Sequence, residues 1–405
     1  MGAALPAAPK QDVERVEAGI AAFIHEFKAL RRDLHEHPEL SFQEHRTSAI
    51  VAERLAHWGY SVTTGIAGTG VVGTLRKGQG SKALGIRADM DALPIDEATG
   101  LPYASCNVGI MHACGHDGHT AMLLAAAKHI AQQGVFSGTV NLIFQPAEEG
   151  LGGAKKMMED GLFKQFPCNA IFAMHNMPSH PQGHLVLRDG SAMASSDNVT
   201  ITLHGKGGHG AMPHVAADPV VAGSAIVLGL QSIVARNIDP QQMAIITVGA
   251  FNAGVANNVI PQTATLKLSV RSLDRDVRIL LEKRITELVH AQAQSYGVTA
   301  EIDYQRGYPV LVNHLHETDF ARTVAEELVG ADKVVRQGRA LTGSEDFAFM
   351  LEEVPGSYLL IGNGDGTGDG HGACMVHNPG YDFNDKNVAI GSAFWSLLVE
   401  RFLPA

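Results

Sequence analysis

Ile20, Phe23, Ile24 and Phe27 recur at the spacing of one helix face, and the pattern predicts helix over residues 11–58, interrupted by a turn at His37-Pro38-Glu39 and resumed over 43–58. β-type runs follow at 71–75 and 83–88, with buried-strand candidates at 140–144 and 170–174. Between the second and third of these lies a long apolar helix, 120–132. Strands alternating with helices predict an α/β fold whose sheet is covered on both faces. Ligands collect at the carboxyl ends of such strands. Asp89 and Asp91 close the strand of the 80s, Glu148 and Glu149 that of the 140s, and His175 that of the 170s.

From about residue 198 the pattern changes to alternating segments at 198–204, 242–248 and 263–270, with helices at 218–235 and 274–295. This βαβ-β-αβ order predicts a small four-stranded α+β unit of ferredoxin-like type, inserted over 196–307 into a first domain made of 1–195 and 308–405. A helix at 317–329, a segment at 341–351, a strand at 358–361 and a helix at 387–402 return the chain to the first domain.

At 405 residues, two domains are expected. With 45% hydrophobic and 18% charged residues, no stretch approaches the roughly 18 uninterrupted apolar residues of a membrane span. The net charge of −11 repels nucleic acid and anionic lipid. The opening residues lack the pattern of a secretory signal, and the protein reads as cytoplasmic. Four cysteines in so long a chain do not form a disulfide scaffold; Cys106, Cys168 and Cys374 read as small apolar filler.

Cys114 reads differently. The run Met111-His112-Ala113-Cys114-Gly115-His116-Asp117-Gly118-His119 sets a thiol and three imidazoles within nine residues. Gln145-Pro146-Ala147-Glu148-Glu149-Gly150, Met174-His175-Asn176 and Val376-His377-Asn378-Pro379 add carboxylates and further imidazoles. Divalent metals of the zinc and manganese group take these donors together. Cys114, His116, Glu149, His175 and His377 are five candidate ligands, more than a tetrahedral structural zinc needs, and they suit either an expanded mononuclear site or two metals bridged by Cys114 and a water. Glu148 is then the general base for a metal-activated water.

Other motifs carry less. Gly68-Thr69-Gly70-Val71-Val72-Gly73 matches a dinucleotide pattern but precedes a β-type run rather than a helix. The glycine- and aspartate-rich stretch 364–370 lacks the spacing of a calcium loop and reads as a flexible loop. His25, His35, His57, His129, His290, His314 and His316 read as surface or packing residues.

Eight segments, in order, resemble the M20 metallopeptidases, and within them the amidohydrolase branch of hippurate hydrolases, N-acyl-amino-acid amidohydrolases and auxin-conjugate hydrolases. They are 31–35 with 37–41, 87–94, 112–120, 145–150, 205–211, 258–261, 343–347 and 377–379. The resemblance implies a catalytic domain with a mixed, mainly parallel sheet and an inserted lid, through which two or four copies associate. It implies a dinuclear centre held by the five ligands above, with Glu148 as base. It further implies that His209 stabilises the oxyanion, in its own or a partner's site, and that Asn258 and Arg271 hold the substrate carboxylate. The chain departs from the peptidase branches at Asp89-Met90-Asp91, where those carry a histidine ligand; His116 then replaces it, and Asp91 orients an imidazole.

The expected activity is hydrolysis of the amide bond of small N-acyl amino acids, hippurate-like, N-acetyl or N-aroyl, with two zinc, manganese, cobalt or nickel ions. Rival readings are a metal-independent thiol amidase built on Cys114, a dipeptidase or auxin-conjugate hydrolase of the same fold, and a binding protein without catalysis.

Overall fold

The computed structural model describes residues 10–364 and 374–405. The predicted loop at 364–370 lies, beyond its first residue, outside them. The chain forms two compact units. One contains the chain up to Gly190 with Val312–Arg339 and Phe349–Ala405; the other contains Ser191–Leu311 with Ala340–Ala348.

In the first unit, eight strands among the described residues form one sheet in the order Ser61–Ile66, Gly70–Lys77, Gly138–Gln145, Ala83–Asp89, Ala170–Pro181, Gly356–Gly364, Leu185–Val186, Val334–Val335. The central strands Gly138–Gln145, Ala83–Asp89, Ala170–Pro181 and Gly356–Gly364 are parallel to their neighbours within this set, and the flanking strands Gly70–Lys77 and Leu185–Val186 join antiparallel. The central strands are buried along nearly their whole length, as continuous apolar runs in a parallel sheet require. Helix His116–Gln132, buried at fourteen positions, packs against Ala83–Asp89 and also against helix Lys386–Phe402.

The predicted N-terminal helix is two helices, Lys10–Ala21 and Ile24–Glu36, because the chain breaks at Ala22 and Phe23, where Phe23 adopts ψ 6. The helix that carries His116 and His119 begins at His116, four residues before the apolar run that predicts it. His175 does not end a strand: Ala170–Pro181 continues past it, paired to Leu360. The pairing with Ala83–Asp89, however, ends at Arg87↔Ala173, which opens the sheet beside His175.

The second unit is a four-stranded antiparallel sheet in the order Ala244–Ala253, Thr263–Ser272, Asp197–His204, Thr299–Arg306, with helices Pro219–Asn237 and Arg275–Ser295 on it. Asp218 caps the first helix through Val220 N–H with Pro219 in the first turn, and Asp274 caps the second through the N–H groups of Asp276 and Val277. Pro219–Asn237 is long and apolar enough to cross a membrane by length and composition, yet Ala222, Ile226, Leu230 and Ile233 are buried in this unit's core.

Candidate metal centre

The carboxyl ends of Ala83–Asp89 and Gly138–Gln145, together with His175 from within Ala170–Pro181, deliver the acidic and basic groups to one edge of the first unit. Asp89 ends its strand and Gln145 ends the next, so that Pro146, Ala147, Glu148 and Glu149 form the following turn. Gly115, at φ 88, swings the chain into helix His116–Gln132; a Cβ there would lie 2.4 Å from both Asn176 Nδ2 and Tyr381 Oη. The thiol of Cys114 is thereby set 3.3 Å from His175 Nε2.

The donors fall into overlapping groups whose ligand atoms lie within 4.8 Å of one another: Cys114 with His116 and His175, Cys114 with Glu149 and His377, and His116 with Glu148 and Glu149. The five predicted ligands and Glu148 thus come together. His377, at φ 65, is exposed, with its Nε2 3.3 Å from Glu149 Oε1.

The hydrogen bonds around the imidazoles suit a cation. His175 Nδ1–H donates to Asn176 O at 2.6 Å, which leaves Nε2 as a lone pair beside the thiol. His116 Nδ1 lies 3.3 Å from Asp91 Oδ1, and its buried Nε2 has no hydrogen-bond partner among the described residues. Burial, then Glu149, Glu148 and Asp89, push the Cys114 thiol well above its ordinary pKa. Burial would lower the His116 pKa, but Asp89, Asp91 and Glu149 outweigh it and raise it to about 10. Burial and the neighbouring His119 and His116 hold His175 well below the ordinary value. A thiol crowded by carboxylates is a donor set that divalent charge stabilises.

Asp91 organises the centre without being one of its grouped donors. Its Oδ1 accepts Glu148 N–H at 3.1 Å, and its Oδ2 accepts Glu149 N–H at 3.0 Å and the Ser41 hydroxyl at 2.8 Å. Burial would raise its pKa, but the contacts with His116, Glu149 and Ser41 lower it below the carboxylate norm.

Several contributors are missing from the sequence reading. His119 donates from Nδ1 to Asp89 Oδ1 at 2.6 Å, and its Nε2 accepts the backbone and side-chain N–H groups of Asn176 at 3.0 and 3.1 Å. Asn176 in turn donates to Cys114 O at 2.6 Å. The signal was the spacing of His116 and His119 on one helix face. His35, read above as a packing or surface residue, is buried between Asp117 and Glu97, with Nδ1 2.9 Å from Asp117 Oδ2. Asp117 also neighbours Arg31, which pairs with Asp382 and Asp385. Cys106 is exposed rather than filling the interior.

His209, Asn258 and Arg271 belong to the second unit. The short strand Gly208–His209 pairs with Val259–Ile260, and Gly210 N–H donates to Asn258 O, so His209 and Asn258 adjoin. His209 Nδ1 accepts Ala211 N–H at 3.0 Å, the pattern of the tautomer with its proton on Nε2. Arg271 donates from Nη1 to Thr342 O at 3.0 Å.

The model of peptidase family M20/M25/M40 matches residues 85–401. The chain belongs to that family. Among relatives of this M20/M25/M40 member is a hippurate hydrolase of Campylobacter jejuni, 46% identical over 93% of this chain and 97% of that protein. Another is an N-acetyl-L-cysteine deacetylase of Bacillus subtilis, 37% identical over 92% and 87%. A dinuclear metal-binding peptidase of the M20 family from Bacillus subtilis superposes with TM-score 0.82, 32% identity and coverage of 95% of this chain and 99% of that one. A structure from methicillin-resistant Staphylococcus aureus gives TM-score 0.90 at 34% identity, with 96% and 99% covered.

Proposed function

We propose that this M20-family hydrolase cleaves the amide bond of N-acyl amino acids, with hippurate-like, N-acetyl and N-aroyl amino acids as substrates. The observation that carries the reading is the adjacency of Glu148 and Glu149, both hung by their N–H groups on Asp91, beside Cys114, His116, His175 and His377. The likeness to a hippurate hydrolase over nearly the full length of both chains supports the substrate class. Those five ligands would hold a pair of divalent ions, zinc, manganese, cobalt or nickel, whose charge would polarise the amide carbonyl and acidify water.

Of the two glutamates only Glu149 is grouped with Cys114 and His377, which suits a ligand. Glu148 takes the proton of the attacking water and delivers it to the leaving amine nitrogen. His209, in a lid comprising 196–307, offers its Nε2–H to the developing oxyanion, in its own site or a partner's. Asn258 and the guanidinium of Arg271 hold the substrate carboxylate. Association of two or four copies through the lid and a cytoplasmic setting that keeps Cys114 reduced complete the reading.

The high thiol pKa argues against Cys114 as a metal-independent nucleophile. Comparing hippurate, N-acetyl amino acids, dipeptides and indole-acyl conjugates separates the amidohydrolase from dipeptidase and auxin-conjugate activities. The decisive variant is Glu148→Gln. It should lower kcat by a factor of about 100 or more while metal content stays the same; full turnover in that variant overturns the assignment.

A further inference from the structure

The non-glycine residues with positive φ among the described residues are Phe42, Ala67, Ala147 and His377. Two of them hang on one carboxylate oxygen. Glu44 Oε1 accepts Phe42 N–H at 3.0 Å and Ala147 N–H at 2.9 Å, while Oε2 accepts the Thr69 hydroxyl at 2.5 Å. Glu44 is fully buried, immediately before helix His45–His57. Ala147, at φ 53, immediately precedes Glu148.

An alanine in left-handed backbone sits roughly 1 kcal/mol above a glycine there, so the turn needs outside support to keep that shape. Its three consecutive N–H groups, those of Ala147, Glu148 and Glu149, are all accepted by carboxylates brought from elsewhere in the chain, the first by Glu44 and the other two by Asp91. Gly153 N–H closes the turn on Ala147 O at 2.9 Å.

We infer that Glu44 is a positioning residue: it fixes Ala147 in the conformation that directs the Glu148 carboxylate to the reacting water and Glu149 to the ligand cluster. Glu44 itself is not one of the grouped donor residues. The inference rests on the roles of Glu148 and Glu149 given above.

The test compares Glu44→Ala, Ala147→Gly and the double variant, with Glu148→Gln alongside. It reads kcat and KM for hippurate and the zinc affinity by chelator competition. Glu44→Ala should lower kcat by about tenfold or more with KM within about threefold, and weaken zinc binding. Ala147→Gly should raise kcat in the Glu44→Ala background by about threefold or more but not in the wild-type background, because glycine takes the left-handed φ without the strain that Glu44 offsets. Equal effects of Ala147→Gly in both backgrounds, or wild-type kcat in Glu44→Ala, overturn the inference. An active Glu148→Gln overturns the reading of the site itself, whereas an inactive Glu148→Gln beside a fully active Glu44→Ala defeats the positioning role alone. Should Glu44→Ala not fold, Glu44→Asp keeps the charge but withdraws the carboxylate, and the same cycle with Ala147→Gly decides.

Discussion

Asp91→Asn isolates the part of the centre that holds the ligands without being counted among them. The carboxylate is buried and each oxygen is committed, Oδ1 to Glu148 N–H and His116 Nδ1 and Oδ2 to Glu149 N–H and the Ser41 hydroxyl. An amide of the same shape must turn an NH2 toward one side. There it meets a backbone N–H, donor against donor, whichever way it flips. At least one charge-assisted bond is lost and one buried donor is left unpaired, at a cost of about 1.5–3 kcal/mol. Because His116 and Glu149 are both oriented by Asp91, that cost falls on the metal-loaded state, and the dissociation constant should rise by about 10–100-fold. Chelator competition on the stripped protein measures the affinity, and steady-state hydrolysis of hippurate measures kcat, expected to fall by about 100-fold because Glu148 hangs on the same carboxylate. Unchanged metal affinity together with unchanged kcat in Asp91→Asn would show that this carboxylate orients neither His116 nor the Glu148-Glu149 turn.

Two further substitutions probe the frame. Gly115→Ala forces a side chain at φ 88 into contact with Asn176 and Tyr381, so it should destabilise by about 2–4 kcal/mol and loosen metal binding; a wild-type urea midpoint would contradict this. His129 is buried beneath helix Lys10–Ala21, and burial holds its pKa down to about 4 despite Glu400, with Arg15 and Lys77 pushing the same way. Its folded pKa lies below the unfolded value, so its contribution is fully present above about pH 6.5 and is lost as pH falls toward 4, by at most about 3 kcal/mol. Urea midpoints of wild type and His129→Leu at pH 7 and 4.5 should show a smaller acid loss in the variant; equal losses would contradict the burial argument.

The central parallel strands and the ferredoxin-like unit were legible because apolar runs and alternating runs are what buried and half-buried strands require. Ser61–Ile66 was not: it is an edge strand with two threonines and a glycine, and only Ile66 is buried. Thr299–Arg306, the fourth strand of the second unit, is likewise an edge whose acidic and polar residues conceal its alternation. The break after Ala21 was hidden because Ile20, Phe23, Ile24 and Phe27 continue the apolar spacing across it. At the centre, the candidate ligands stood out by chemistry. Glu44 and Asn176 act through hydrogen bonds to backbone groups distant in sequence, which spacing does not reveal, whereas His119 was signalled by its place one helix turn after His116.

On the proposed function, Cys114, His116, Glu149, His175 and His377 form one metal centre on which hydrolysis depends. Calorimetric titration of chelator-stripped protein with zinc or manganese, followed on the same sample by hippurate hydrolysis, tests it most directly. Two ions per subunit, recovery of activity as the sites fill, and weaker binding in each single variant of the five ligands are expected. Stripped protein that binds no ion and still hydrolyses substrate at the full rate would contradict it.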